Sequence, residues 1–252
     1  MLGWALATTR ALLVVCLIAS HGVMVGILPE TSSRLRAWVI QSFGRTITWA
    51  LGVQITLSGT PSEERAILIS NHRSYVDIPV LAGLCPVVFL AKAEVAGWPI
   101  IGMAARKART VFVDRHDQES RERSRRTLRE RLAEGFSILV FCEGTTSARG
   151  TLLPLKSGMF HEAAAGDLPI QVVYLEYAED DDSWVSDDTI AQHFYSRFCR
   201  WRTHINVVYR RGLLRARAGE SQPGLRMHDE ATAWLHEQIR EEVGELRACT
   251  GR

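Results

Sequence analysis

The first part of the chain is apolar almost without interruption. Residues 11–28 read ALLVVCLIASHGVMVGIL, eighteen positions with no formal charge apart from His21. That length sits at the lower edge of a membrane span, which needs ~20 residues. A cleaved signal peptide is the alternative, but Ala19-Ser20-His21 is a poor cleavage site and the apolar run continues past it. Over residues 33–53 the pattern changes. Leu35, Trp38, Val39, Phe43, Ile47, Trp49 and Leu51 recur three or four apart, interrupted by Arg34, Arg36 and Arg45. The spacing predicts an amphipathic helix. It either lies in a membrane interface with its tryptophans at headgroup depth or packs as the first helix of a globular body.

From residue 53 onward, short β-branched runs alternate with helical stretches. Strands are predicted at 54–57, 66–70, 87–90, 110–113, 138–141, 170–176 and 205–209, and helices at 75–83, 118–134, 158–165, 188–199 and 228–246. Strands separated by helices predict an α/β fold, a mixed sheet flanked by helices on both faces. Residues 1–52 therefore read as an N-terminal membrane-associating helical segment and residues 53–252 as one catalytic domain. If the first segment crosses a bilayer, Arg34, Arg36 and Arg45 outnumber Arg10, which places the body on the cytoplasmic side of an inner membrane.

Composition narrows the picture further. Charged residues make up 23% and apolar residues 46%, which excludes a disordered chain, and a net charge of +2 gives no support for nucleic-acid binding. Five cysteines, Cys16, Cys85, Cys142, Cys199 and Cys249, are odd in number and irregularly spaced. They form neither a disulfide framework nor a metal set. The densest charge lies at 121–131, where Arg121, Arg125 and Arg129 share a helix face. That face suits an anionic partner or surface, and equally a solvated surface of Glu–Arg pairs.

Candidate chemistry gathers after the predicted strands. Asn71-His72-Arg73-Ser74-Tyr75-Val76-Asp77 follows the second. Five residues along one helix turn two side chains about 140° apart, so His72 and Asp77 meet only if the histidine lies in a loop and the aspartate in the next helix's first turn. Asp77 then holds one imidazole nitrogen and leaves the other to take a proton, the pairing of general base catalysis. A loop histidine beside a helix-start aspartate is the ordinary alternative. Val111-Phe112-Val113-Asp114-Arg115 ends a strand on an arginine, suited to phosphate or to a surface salt bridge. Glu143-Gly144-Thr145-Thr146-Ser147 follows another strand and offers N–H groups and hydroxyls to an anion, or simply turns the chain. Pro169 opens an apolar strand at a position where its missing N–H is tolerated.

The order and spacing of these four blocks, over about residues 66–176, resemble those of the glycerolipid and lysophospholipid acyltransferase family. That family carries Asn-His-x-Ser-x-x-Asp, an apolar strand ending in arginine, Glu-Gly-Thr, and a proline-led apolar strand. The resemblance implies a glycerol-phosphate-acyltransferase-like fold, with His72 as general base and Asp77 as its orienter. Around the acceptor it implies Asn71, Ser74, Arg115, Glu143, Gly144, Thr145 and Thr146. The reaction implied is transfer of a fatty acyl group from acyl-CoA or acyl carrier protein, as co-substrate, to the free hydroxyl of a lysolipid. One departure stands out. The phosphatidic-acid-forming branch usually carries arginine after Glu-Gly-Thr, where this chain has Thr146. Glu-Gly-Thr-Thr-Ser followed by Leu153-Pro154-Leu155-Lys156-Ser157 looks more like the lyso-ornithine-lipid branch, although Arg149 or Lys156 can restore the charge. A 1-acylglycerol-3-phosphate acyltransferase, a non-catalytic lipid-binding relative and a thioesterase-like hydrolase stay open as alternatives.

Overall fold

The computed structural model describes residues 2–29, 32–98, 101–114, 116–185 and 190–250. Two N-terminal helices, α1 (Leu2–Ile27) and α2 (Ser33–Ala50), lead into β1 (Val53–Ser58) and β2 (Ile67–Ser70). Next come α3 (Asp77–Leu84), β3 (Val87–Lys92), α4 (Ile101–Lys107), β4 (Val111–Val113), α5 (Gln118–Ala133) and β5 (Ser137–Phe141). The chain ends with α6 (Gly158–Ala165), β6 (Ile170–Tyr177), α7 (Ile190–Phe198), β7 (Thr203–Tyr209) and α8 (Pro223–Thr250). All seven predicted strands are present, and the predicted helices begin and end within a few residues of expectation, except that the expected start at Asp188 lies outside the described residues.

The strands form one sheet in the order β1-β7-β6-β2-β5-β3-β4, parallel throughout except for the antiparallel β6–β7 pair. The mixed sheet is thus as expected. Helices cover both faces of the central strands, so β2 and β6 are buried at every position and read as continuous apolar runs rather than alternating ones. β1, at one edge, is largely exposed. The Pro169 carbonyl accepts from the Ile67 N–H at 2.9 Å, so the proline leads into β6 without removing a ladder bond.

α2 packs on the globular body along one face. Val39, Ile40 and Ile47 are buried, whereas Leu35, Trp38 and Trp49 face outward. Its inner face meets α3 backbone to backbone. A Cβ on Gly44 would lie 2.4 Å from the Gly83 nitrogen, so the approach requires glycine. α1 contains a 25-residue stretch, Gly3–Ile27, long and apolar enough to cross a membrane, and most of it is exposed. Its other side rests on the body through Ala7 and Val25. Arg10, buried in this apolar helix, donates to the carbonyls of Phe198, Arg200 and Trp201 at the end of α7. Those carbonyls lack intrahelical partners, and a guanidinium satisfies several at once.

α5 begins at an Asp117 cap, whose carboxylate accepts from the Glu119 and Ser120 N–H groups. On its arginine face, Arg125 pairs with Glu162 of α6 at 2.7 Å, while Arg121 stays exposed.

Candidate active site

The first block lies where the β2 strand ends and α3 begins. His72 sits in the connecting loop and Asp77 is the first residue of α3. His72 Nδ1 is 2.7 Å from Asp77 Oδ2, the pairing that the five-residue spacing allows only across a loop–helix junction. Asp77 is fully buried. Its Oδ2 also accepts from the Arg73 and Ser74 N–H groups at 2.7 and 3.0 Å, and its Oδ1 accepts from the Tyr177 hydroxyl at 2.7 Å. Four donors converge on one carboxylate. A charged Asp77 takes the proton on His72 Nδ1 as donor and leaves Nε2 with its lone pair. Among the described residues no protein group bonds Nε2, and the imidazole side chain keeps 17% of its surface open. The ring lies flat on Phe141, centroids 3.8 Å apart. Burial together with Asp77 pushes the Tyr177 hydroxyl well above its ordinary pKa, so it stays a donor.

The loop is held from several sides. Asn71 pairs twice with the backbone of Leu175 on β6, at 2.7 and 2.8 Å. Glu143, from the block after β5, is buried. Its Oε1 accepts from the His72 N–H at 2.7 Å and its Oε2 from the Leu153 N–H at 2.8 Å. The Ser147 N–H donates to the His72 carbonyl at 2.8 Å. Arg73, wholly buried, forms a two-pronged pair with Glu176, 2.8 Å for each prong, and donates to the Ser147 hydroxyl. Glu176 also accepts from the Gly150 N–H at 3.0 Å and from the Tyr174 hydroxyl at 3.2 Å. The same hydroxyl lies 2.9 Å from a carboxyl oxygen of Glu242 on α8, so its single proton serves one of the two carboxyl groups at a time. Burial raises the Glu242 carboxyl above its ordinary value.

The structure therefore brings the first and third blocks together around His72. Gly144 has φ +82°, a left-handed turn that favours glycine, and its N–H closes back on the Phe141 carbonyl at 3.1 Å. The turn leaves Thr145 exposed, and among the described residues neither the Thr145 nor the Thr146 N–H makes a backbone hydrogen bond. The Thr146 hydroxyl donates to the Trp184 carbonyl. Ser74 is buried beneath the loop and its hydroxyl accepts from the Val76 N–H at 3.4 Å. Arg115 lies outside the described residues. Of the two cations named as replacements for the arginine missing at Thr146, Arg149 is tied to Asp180 at 3.2 Å and Lys156 is exposed. The exposed Lys92 ends β3 at the same edge of the sheet.

Tyr177, Arg73 and Glu176 were not singled out from the sequence. A signal was present: Glu176 is a carboxylate inside the apolar run 170–177, and a charge in a buried strand demands a partner. The partner's identity is a matter of fold, since 103 positions separate it from Arg73.

Comparisons with known proteins agree with this architecture. Residues 54–176 match the family model described as Acyltransferase. The lyso-ornithine lipid O-acyltransferase of Rhizobium meliloti (strain 1021) is 35% identical over 144 residues, 56% of this chain and 49% of that protein. That of Pseudomonas aeruginosa is 34% identical over 149 residues, 57% of each. The 1-acyl-sn-glycerol-3-phosphate acyltransferase of Cocos nucifera is 34% identical over 164 residues, 63% of this chain and 53% of that protein. The chain thus spans about half the length of the curated relatives it matches. The crystal structure of the 1-acyl-sn-glycerophosphate acyltransferase from Thermotoga maritima superposes with a TM-score of 0.67 over 94% of both chains. At 21% identity that match establishes a common fold.

Proposed function

We propose that this chain, whose residues 54–176 form an acyltransferase-family domain, transfers a fatty acyl group from a thioester to the free hydroxyl of a lysolipid. One observation carries the reading: His72 is held through Nδ1 by a buried, four-donor Asp77, while Nε2 has no bonding partner among the described residues. In this mechanism Nε2 takes the proton of the acceptor hydroxyl as its oxygen attacks the thioester carbonyl. The imidazolium that forms is stabilised by Asp77. The tetrahedral intermediate collapses, the carbon–sulfur bond breaks, and the proton on Nε2 passes to the departing thiolate. Direct transfer needs no acyl-enzyme and no cofactor. The donor, acyl-CoA or acyl carrier protein, is a co-substrate. The Thr145 and Thr146 N–H groups, without backbone partners, are the candidates to meet the oxyanion or the acceptor. Asn71, Ser74 and Glu143 act behind the site: their polar atoms are taken up in holding the loop.

The acceptor is proposed to be lyso-ornithine lipid rather than lysophosphatidic acid. Thr146 supplies a neutral hydroxyl, already directed at Trp184, in the place where a fixed charge would read phosphate. Membrane association is proposed through α1 and the outer face of α2, on the cytoplasmic side of an inner membrane. Because α1 rests on the body from Ala7 and Arg10 to Val25, it is proposed to lie along the surface of one leaflet. The deciding experiment offers purified protein several lysolipids with acyl-CoA and with acyl carrier protein, and identifies products by mass spectrometry. Acylation of lyso-ornithine lipid is expected. Release of free fatty acid with every acceptor would identify a hydrolase instead, and no turnover at all would leave a lipid-binding protein.

A further inference from the structure

A second polar site lies far from His72. An open cavity of about 620 Å³ is enclosed by the end of α1, the first turn of α2, α4, the start of β4 and the last turns of α5. Arg36, Arg106, Lys107, Arg109 and Arg131 line it. Among the described residues one carboxylate, Glu134, answers this group, pairing with Arg109 at 2.9 Å and Arg131 at 2.7 Å. Arg36 donates to the carbonyls of Leu28 and Pro29, and Arg106 to that of Ala96. Those partners satisfy hydrogen bonds without cancelling charge. Lys107 is exposed and, among the described residues, enters no ion pair. Cations gathered around one cavity with so little counter-charge raise its potential, and a bound anion relieves that repulsion.

The rim indicates the kind of anion. Exposed Met103, with Val25 and Phe112, lines the cavity itself, and exposed Ile27 follows Gly26 at the end of α1. A cationic interior with an apolar rim matches an amphiphile with a charged head, whereas a soluble anion has no use for the rim. Strand register separates this cavity from the base. Arg109 precedes β4 and is level with Ile67, whereas His72 lies beyond the opposite end of β2, three strands away. At ~3.3 Å per residue and ~4.8 Å per strand, the two sites are about 20 Å apart. A lipid held here is therefore not the reacting acceptor.

We propose that this cavity binds the phosphate headgroup of an anionic bilayer phospholipid, which fixes the depth and rotation of the protein on the membrane. The proposal rests on the membrane association argued above. The test measures binding of the full chain to vesicles of phosphatidylcholine, alone or mixed with phosphatidylglycerol. Phosphatidylglycerol should strengthen wild-type binding. Arg106→Gln with Lys107→Gln should weaken binding to mixed vesicles about thirtyfold, leave binding to neutral vesicles unchanged, and keep the circular dichroism of the wild type. The exposed α5 pair Arg121→Gln with Arg126→Gln, an equal change in charge, should stay within about twofold of wild type. Equal losses in both pairs, or none in either, would overturn the site. Release by millimolar inorganic phosphate at matched ionic strength would assign it to a free anion and overturn the lipid. Binding to neutral vesicles that phosphatidylglycerol does not strengthen overturns the site and spares the membrane reading. Failure of the wild type to bind any vesicle overturns both.

Discussion

Tyr177 donates to Asp77 Oδ1 at 2.7 Å, on the far side of the carboxylate from His72. The aspartate is gripped at both oxygens, so its orientation toward the imidazole is set by a side chain 100 positions further along the chain. Tyr177→Phe removes this grip without changing volume much. A hydrogen bond to a charged group contributes ~1.5–3 kcal/mol, and part of that is expressed in the alignment of His72. The expected outcome is a fall in kcat of about tenfold with KM little changed. Steady-state kinetics check it, and an unchanged kcat would show that the backbone donors orient Asp77 unaided.

His72→Ala should lower turnover by ~10²–10⁴-fold while the circular dichroism spectrum stays that of the wild type. Asp77→Asn should also be severely impaired, because an amide cannot stabilise the imidazolium. Retention of more than about a tenth of wild-type turnover by His72→Ala would rule out general base catalysis by this residue.

Glu143 accepts from two backbone N–H groups, one on each oxygen. Glu143→Gln can serve only one of them and sets its own NH2 against the other. Leaving a buried donor unsatisfied costs ~1–3 kcal/mol, so the variant should melt at lower temperature and lose activity together. Calorimetry beside kinetics checks this. Activity lost at an unchanged Tm would mean that Glu143 touches substrate instead.

Thr146→Arg should raise kcat/KM for lysophosphatidic acid about tenfold relative to lyso-ornithine lipid, the value of one charged hydrogen bond to phosphate. Competition between the two acceptors, resolved by mass spectrometry, reads the ratio directly. If wild type already prefers lysophosphatidic acid and the arginine adds nothing, Thr146 does not set specificity.

Glu242 has its carboxyl raised by burial, above the ordinary 4.5. Its folded pKa exceeds its unfolded one, so its contribution to stability is complete below about pH 4.5 and declines as pH rises through the folded value. Glu242→Gln keeps an acceptor for the Tyr174 hydroxyl and removes the titration. Its Tm should therefore gain on that of wild type as pH rises from 4.5 to 7, in thermal melts across that range. A difference in Tm that does not change with pH would show that the group does not titrate there.

The seven strands, the helices between them apart from the short α4, and the loop position of His72 were legible in the sequence, because each depends on local periodicity and on turn chemistry within a few residues. The His72–Asp77 pairing belongs to the same class: five residues and one change from loop to helix determine it. The order of the strands, the antiparallel β6–β7 pair and the contacts of Glu143, Arg73 and Tyr177 were not legible. The side-chain contacts join residues 71 to 103 positions apart, and no local pattern encodes which distant backbone a buried charge will meet. The N-terminal arginines show the same division. Hydropathy located Arg10 and Arg36 beside apolar runs, where they read as charges flanking a membrane segment. Packing turned both inward, onto carbonyls at helix ends that have no intrahelical partner, since a buried guanidinium must find acceptors wherever the fold supplies them.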